Sequence, residues 1–158
     1  VRLLLDEDGL VTVTTAPQPP TPADAQMRYV VSDSRLNSSD LFLYHKTTRR
    51  ELYDREWKHY ADTLGADEVI YLNESGELAE GSRTSIFIAL DGKLLTPRLA
   101  AGVLPGTLRA ALIDEGRAEE AQLTIHDLNR AAEIYLGNSV RGLVRAEPLV
   151  PRLAVDHR

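Results

Sequence analysis

Four stretches of this chain carry residues that could do chemistry. The first is LYHKTTRRELYD, residues 43–54, where Lys46 follows the apolar run Leu41, Phe42, Leu43 and Tyr44. Lysine is scarce: Lys46, Lys58 and Lys93 are the only three among 18 lysines and arginines. A lysine at the solvent end of a strand, its stem lying along apolar neighbours, is the commoner arrangement. The alternative is a desolvated amine. Burial and the neighbouring Arg49 and Arg50 would both disfavour the ammonium, and a neutral amine attacks carbonyls. The second stretch is ELAEGSRTSIF, in which Glu80 ends an apolar–polar alternation just before the turn-forming pair Gly81 and Ser82. The third is GVLPGTLR, residues 102–109, where Gly106 and Thr107 open a helix whose first N–H groups and positive dipole end can hold an anion. The fourth is LGNSVRG, residues 136–142, where a Gly-Asn-Ser break offers N–H groups and a hydroxyl to a second side of the same anion.

Each stretch also has an ordinary reading. Glutamates usually sit in water, most helix starts hold no ligand, and Gly-Asn-Ser is a common tight turn. Turned inward, however, Glu80 has a specific use. A pyridoxal ring needs an acid partner to keep its nitrogen protonated. The amine, the carboxylate, the helix start and the broken strand follow one another at intervals of 34, 27 and 32 residues, counted from Lys46 through Glu80 and Thr107 to Ser139.

The elements that must position these groups are legible in outline. The start, VRLLLDEDGLVTVTTAP, reads as two short strands around an acidic turn with Gly9. Four prolines in residues 17–22 favour a stiff, extended connector. MRYVVSD reads as a strand, and SRLNSSD as a polar loop. Residues 49–64 read as a helix, because Tyr53, Trp57, Tyr60, Ala61 and Leu64 share one face and Gly65 follows as a stop. Residues 67–97 read as a meander of four short strands, with turns at Ser75–Gly76 and Asp91–Gly92. LPGTLRAALIDEG reads as a helix, TIHDLNRAA as a short helix with Thr124 and Asp127 in capping-box spacing, and EIYLGNSVRGLVRAEPLV as broken strand. Such a mixture points to an α+β (mixed α/β) fold and away from regular strand–helix alternation.

Bulk composition narrows the function. The chain has 158 residues, 43% hydrophobic and 27% charged, which is enough for one domain with a real core. A net charge of −6 argues against nonspecific nucleic-acid binding. With no cysteine and four scattered histidines, a thiolate or histidine metal site is not expected. No apolar stretch approaches a membrane span, and the start turns acidic after five residues, unlike a signal peptide. A cytoplasmic protein is the expectation.

The most specific stretch is EGSRTSIFIALDGKLLTPRLAAGVLPGTLR. It resembles the class IV aminotransferase family, the fold type IV pyridoxal-phosphate enzymes, with Glu80, Phe87, Thr96, Gly106 and Arg109 on the family pattern. The likeness runs from about Leu41 to Val150. It implies the cofactor-binding large domain of that fold, a strand-rich pseudo-barrel with flanking helices. It implies pyridoxal 5'-phosphate as cofactor, bonded covalently by Lys46. It makes Glu80 the partner of the pyridine nitrogen, Thr107 and Leu108 the holders of the phosphate with Ser139, and Arg83 a residue whose backbone lines the cofactor. Ser85 and Thr107 depart from the family pattern, where Asn and an aliphatic residue are usual. The family also carries an N-terminal domain of about 100 residues. Residues 1–16 therefore look like its tail, 17–26 like a Pro-rich linker, and 27–158 like the pyridoxal-phosphate-binding domain.

Within the family, HKTTRR, DEVIYLNESGELAEGSRTSIF and LGNSVRGL are similar to the aminodeoxychorismate lyase branch. That branch expels pyruvate from aminodeoxychorismate to give 4-aminobenzoate, for folate. The expectation is such a lyase, a homodimer, fused to or working with a chorismate-aminating component. The alternatives are a branched-chain or D-amino acid aminotransferase and a non-catalytic dimerising remnant.

Overall fold

The computed structural model describes residues 1–149. Its centre is an eight-stranded mixed sheet. In chain order the strands are β3 (Gln26–Leu36), β4 (Glu68–Asn73), β5 (Leu78–Gly81), β6 (Ser85–Leu90), β7 (Lys93–Pro97), β8 (Glu119–Ala121), β9 (Glu133–Asn138) and β10 (Gly142–Pro148). Their order across the sheet is β5-β4-β3-β10-β9-β6-β7-β8. The β4–β3, β3–β10 and β7–β8 pairs are parallel and the others antiparallel. The sheet curls so that its two ends approach: the Leu78 N–H donates to Leu123 O at 2.7 Å, and Glu77 bridges Thr124. The result is a half-barrel.

Both faces of the central strands are buried, and each strand alternates between them. Ile70 and Leu72 of β4, Ile86 and Ile88 of β6, and Ile134 and Leu136 of β9 point into the barrel, where Leu128 of α3 (Ile125–Arg130) joins them. Val69 and Tyr71 point out, under the helix α1 (Glu51–Leu64), which sets Tyr53, Trp57 and Tyr60 against them. Phe87 points out under α2 (Thr107–Asp114), with Leu112. Hydrophobic on both faces, these strands read in sequence as continuous apolar runs.

Helix α1 starts at Glu51, two residues later than expected, stops at Gly65 as expected, and leaves Leu64 48% exposed at its last turn. The capping box of α3 forms as its spacing predicts: Thr124 and Asp127 exchange side-chain-to-backbone bonds. The β6–β7 hairpin turns on Asp91 and Gly92, both with positive φ (51° and 79°), a conformation suited to a two-residue hairpin. The hairpin β1 (Arg2–Leu5) with β2 (Val11–Thr14) forms as read, with every strand residue exposed.

Three expectations change. Leu41–Tyr44 is a 3-10 turn, not strand, because the Asp40 carboxylate accepts the Phe42 N–H at 2.9 Å and starts a helical turn. The stretch SRLNSSD is not all loop, since β3 runs on to Leu36. The four strands of residues 67–97 are no simple meander: β5 pairs with β4, whereas β6 crosses to lie between β9 and β7. The short acidic β8 gave no sequence signal and forms only because β7 offers it a parallel edge. Residues from Val150 on, which end the expected 27–158 unit, lie outside the described residues. Among the described residues, no helix is long and apolar enough to cross a membrane.

At Gly137 a Cβ would stand 2.6 Å from Gly142 O and 2.9 Å from Leu108 Cδ2. The first contact is with backbone and cannot yield by rotation. Gly137→Ala should therefore lose about 1–3 kcal/mol in urea denaturation, the range for overpacking a closed site.

Candidate active site

Lys46 follows the 3-10 turn and precedes α1. Its side chain is exposed, as are Leu41 and Phe42 before it. The desolvated amine at the end of an apolar strand is thus corrected: the apolar run turns partly outward and does not enclose the lysine. The two neighbouring cations have other engagements. Arg50 donates to Ser82 O at 2.7 Å and pairs with Asp54 at 3.3 Å, and Arg49 lies 4.0 Å over the Phe42 ring.

Glu80 stands near the end of β5, carried there by the fully buried Leu78 and Ala79. Its Oε1 accepts the Tyr53 hydroxyl at 2.7 Å, and its Oε2 accepts the Leu104 N–H at 3.0 Å. Burial raises the carboxyl's pKa above the usual carboxylate range; the Tyr53 and Leu104 bonds and the Arg50 and Lys46 charges pull against that rise. Burial likewise pushes the Tyr53 phenol far above its ordinary range, and the Glu80 charge adds to it. Tyr53 remains a donor throughout the working pH.

The chain after Glu80 is pinned by a second acid. Glu68, 2% exposed on β4, accepts from the Ser82 hydroxyl, from the Thr84 hydroxyl at 2.8 Å, from the Arg83 N–H at 3.2 Å and from the Val69 N–H at 2.9 Å. Arg83 is held on three sides. Its N–H goes to Glu68, its carbonyl accepts from Asn138 Nδ2 at 3.1 Å, and its guanidinium lies 3.7 Å over the Trp57 ring. The hydrogen bonding of this turn needs no asparagine at Ser85.

Gly106 caps α2 without a side chain, so the first N–H groups of the helix are not taken by a cap. Thr107 is exposed and Leu108 half-buried. The helix is held from below by Arg109, 3% exposed, which donates to Pro97 O at 2.9 Å and pairs with Glu120. Ser139 is exposed in the turn between β9 and β10, which Asn138 closes by accepting the Val140 and Arg141 N–H groups at 3.0 and 3.1 Å. Gly137 packs against Leu108 and brings that turn beside the helix start.

Lys46, Glu80, Arg83, Thr107, Leu108 and Ser139 all line one cavity of about 200 Å³. Phe87, Thr96 and Arg109, which share the family pattern, lie outside it in the core, where the Thr96 hydroxyl donates to Ile86 O at 2.8 Å. Two residues beside the site escaped sequence reasoning. Tyr53 was legible only as part of the apolar face of α1, and Glu68 only as the acid before a strand. An amine and a half-buried acid facing an uncapped helix start have the donor set that a pyridoxal ring and its phosphate need.

Residues 4–147 match the amino-transferase class IV family. The chain belongs to the class IV aminotransferase family. The match takes in most of the N-terminal hairpin and so extends beyond the motif-bearing stretch. A Saccharomyces cerevisiae aminodeoxychorismate lyase is 33% identical over 133 residues, 73% of this chain and 35% of that protein. A solved putative amino-acid aminotransferase from Mesorhizobium loti superposes with a TM-score of 0.86 at 44% identity, covering 92% of this chain and 70% of that one. The PLP-bound form of a hypothetical aminotransferase from Mycobacterium tuberculosis matches at 25% identity and TM-score 0.70, over 77% of this chain and 47% of that one. The chain spans about a third of the length of the curated relatives it matches. The class IV family works with pyridoxal phosphate.

The raised Glu80 pKa fixes a sign. Between the ordinary carboxylate range and its folded value, folded Glu80 holds more proton than unfolded, so its contribution to stability falls as pH rises through that window. In the cofactor-free chain, melting temperatures from about pH 8 down to about pH 5 should shift in favour of wild type relative to Glu80→Gln.

Proposed function

We propose that this chain is the cofactor-bearing part of a pyridoxal-phosphate-dependent 4-amino-4-deoxychorismate lyase, which releases pyruvate and forms 4-aminobenzoate. The observation that carries the reading is the single cavity shared by Lys46, Glu80 and the uncapped start of α2. The yeast lyase likeness over 73% of the chain supports the choice of reaction.

Pyridoxal phosphate, when bound, supplies an electron sink for charge developing on the carbon that bears the substrate amine. Glu80 would accept the N–H of the ring nitrogen and hold that proton in place. The Thr107 and Leu108 N–H groups, with the Ser139 hydroxyl, would bind the phosphate. The Arg83 backbone would form the wall beside the ring, and its bonds to Glu68 and Asn138 keep that wall still. Lys46 would be the residue that bonds the cofactor, and its free Nζ would take the proton from the substrate carbon next to nitrogen. Exposure of Lys46 in this chain suits a site that further protein covers. A homodimer in the cytoplasm, joined to a chorismate-aminating component, accords with this reading.

A second reading is an aminotransferase with the same residues in the same roles and the proton returned elsewhere. The 44% identity to the Mesorhizobium loti protein, named a putative amino-acid aminotransferase, favours it.

Adding pyridoxal phosphate to the 158-residue chain should raise the absorption of the lysine-bound cofactor near ~410–420 nm, and Lys46→Ala should abolish it. With aminodeoxychorismate the enzyme should release pyruvate. Glutamate from leucine or D-alanine plus 2-oxoglutarate, with no pyruvate released from aminodeoxychorismate, would reverse the ranking of the two reactions. Absence of the band would favour a non-catalytic dimerising remnant.

A further inference from the structure

Two different elements answer the two oxygens of Glu80. The Tyr53 hydroxyl comes from α1 to Oε1, and the Leu104 N–H comes from the segment ahead of α2 to Oε2. A carboxylate oxygen has two acceptor positions, so one donor on each fixes the plane of the group and leaves a position free on each oxygen. Tyr53 is itself fixed. Its ring meets Tyr71 of β4 edge-on at 5.1 Å and 89°, and the Arg50 guanidinium lies 5.4 Å from its ring. Around the acid, Arg50 and Lys46 supply positive charge from the segment leading into α1, and Tyr71 stands behind Tyr53.

We propose that Tyr53 is a positioning residue of the site: its hydroxyl holds the Glu80 carboxylate in the orientation and the ionised form that a protonated ring nitrogen requires. The inference rests on the reading of Glu80 as the partner of that nitrogen. Burial works against ionisation of Glu80, and the Tyr53 bond is the first of the contacts that oppose it. Arg50 acts through Tyr53 as well as on Glu80 directly, because it sits near the phenol ring while anchored to Ser82 O. The hydrogen bond, not the ring, carries the effect, so the phenol's packing on Tyr71 can be kept while its function is removed.

The test uses the 158-residue chain without cofactor, with glutamate side chains labelled with carbon-13, and Glu80 identified by the resonance missing in Glu80→Gln. Tyr53→Phe keeps the aromatic pair and deletes only the donor. Its Glu80 midpoint should rise by about one pH unit, a tenfold gain in proton affinity. Tyr71→Phe, which removes the other hydroxyl of the pair and does not touch Glu80, should leave the midpoint in place. Above both midpoints, the dissociation constant for pyridoxal phosphate should rise about three- to tenfold in Tyr53→Phe, since the acid must then be ordered on binding. No change in the Tyr53→Phe midpoint, or an equal rise in Tyr71→Phe, overturns the inference. So does unchanged cofactor affinity in Tyr53→Phe when Glu80→Gln weakens it. Unchanged affinity in Glu80→Gln would instead overturn the ring-nitrogen reading, while the titration still decides whether Tyr53 controls the carboxyl.

Discussion

Glu68 is the acid on which the local geometry depends. It is buried on β4, and it gathers two hydroxyls and two backbone N–H groups onto one carboxylate. Three of those donors belong to Ser82, Arg83 and Thr84, the residues that carry the chain from β5 to β6. A buried anion without donors is costly, and buried hydroxyls without acceptors are costly too, so the four bonds stand or fall together. The space is closed to anything larger than glycine at position 81, where a Cβ would lie 2.4 Å from Thr84 Oγ1. The turn therefore has one conformation, and that conformation fixes where β5 ends. Glu80 is the residue just before it.

From that turn the rest of the site follows by packing. The Arg83 carbonyl reaches Asn138, which closes the β9–β10 turn and sets Ser139 near the start of α2. Ser82 O receives Arg50, which ties the beginning of α1, and with it the Lys46 segment, to the same turn. The helices are held by the outward faces of strands whose inward faces fill the barrel, so neither helix can shift without opening a core. An acid, an amine and an anion-ready helix end, remote in sequence, thus face one cavity.

The order of Lys46, Glu80, Gly106 and Ser139, and the period of α1, were legible because they depend on local spacing. What depends on distant partners was not. The apolar run at Leu41–Tyr44 looks like a strand by composition, but Asp40 caps it into a turn and only Leu43 joins a core. The crossover between β5 and β6 is invisible because β6 pairs with the distant β9, where Phe87 lies opposite Tyr135. Tyr53 fits the apolar face of its helix so well that its hydroxyl drew no notice. Its partner is 27 residues away. Strands with two buried faces also hide which side chain points inward, since both sides are apolar.

The most direct test of the hold of Glu68 on the turn is amide hydrogen exchange across residues 81–85 in Glu68→Ala against wild type. The replacement leaves the Ser82 and Thr84 hydroxyls without their acceptor and should cost on the order of 3 kcal/mol or more. Arg83 and Ser82 should lose protection selectively, amides of the central β3–β10 pair should keep theirs, and affinity for pyridoxal phosphate should fall with the turn. Unchanged protection at Ser82 and Arg83, in a folded variant that binds the cofactor as wild type does, would contradict it.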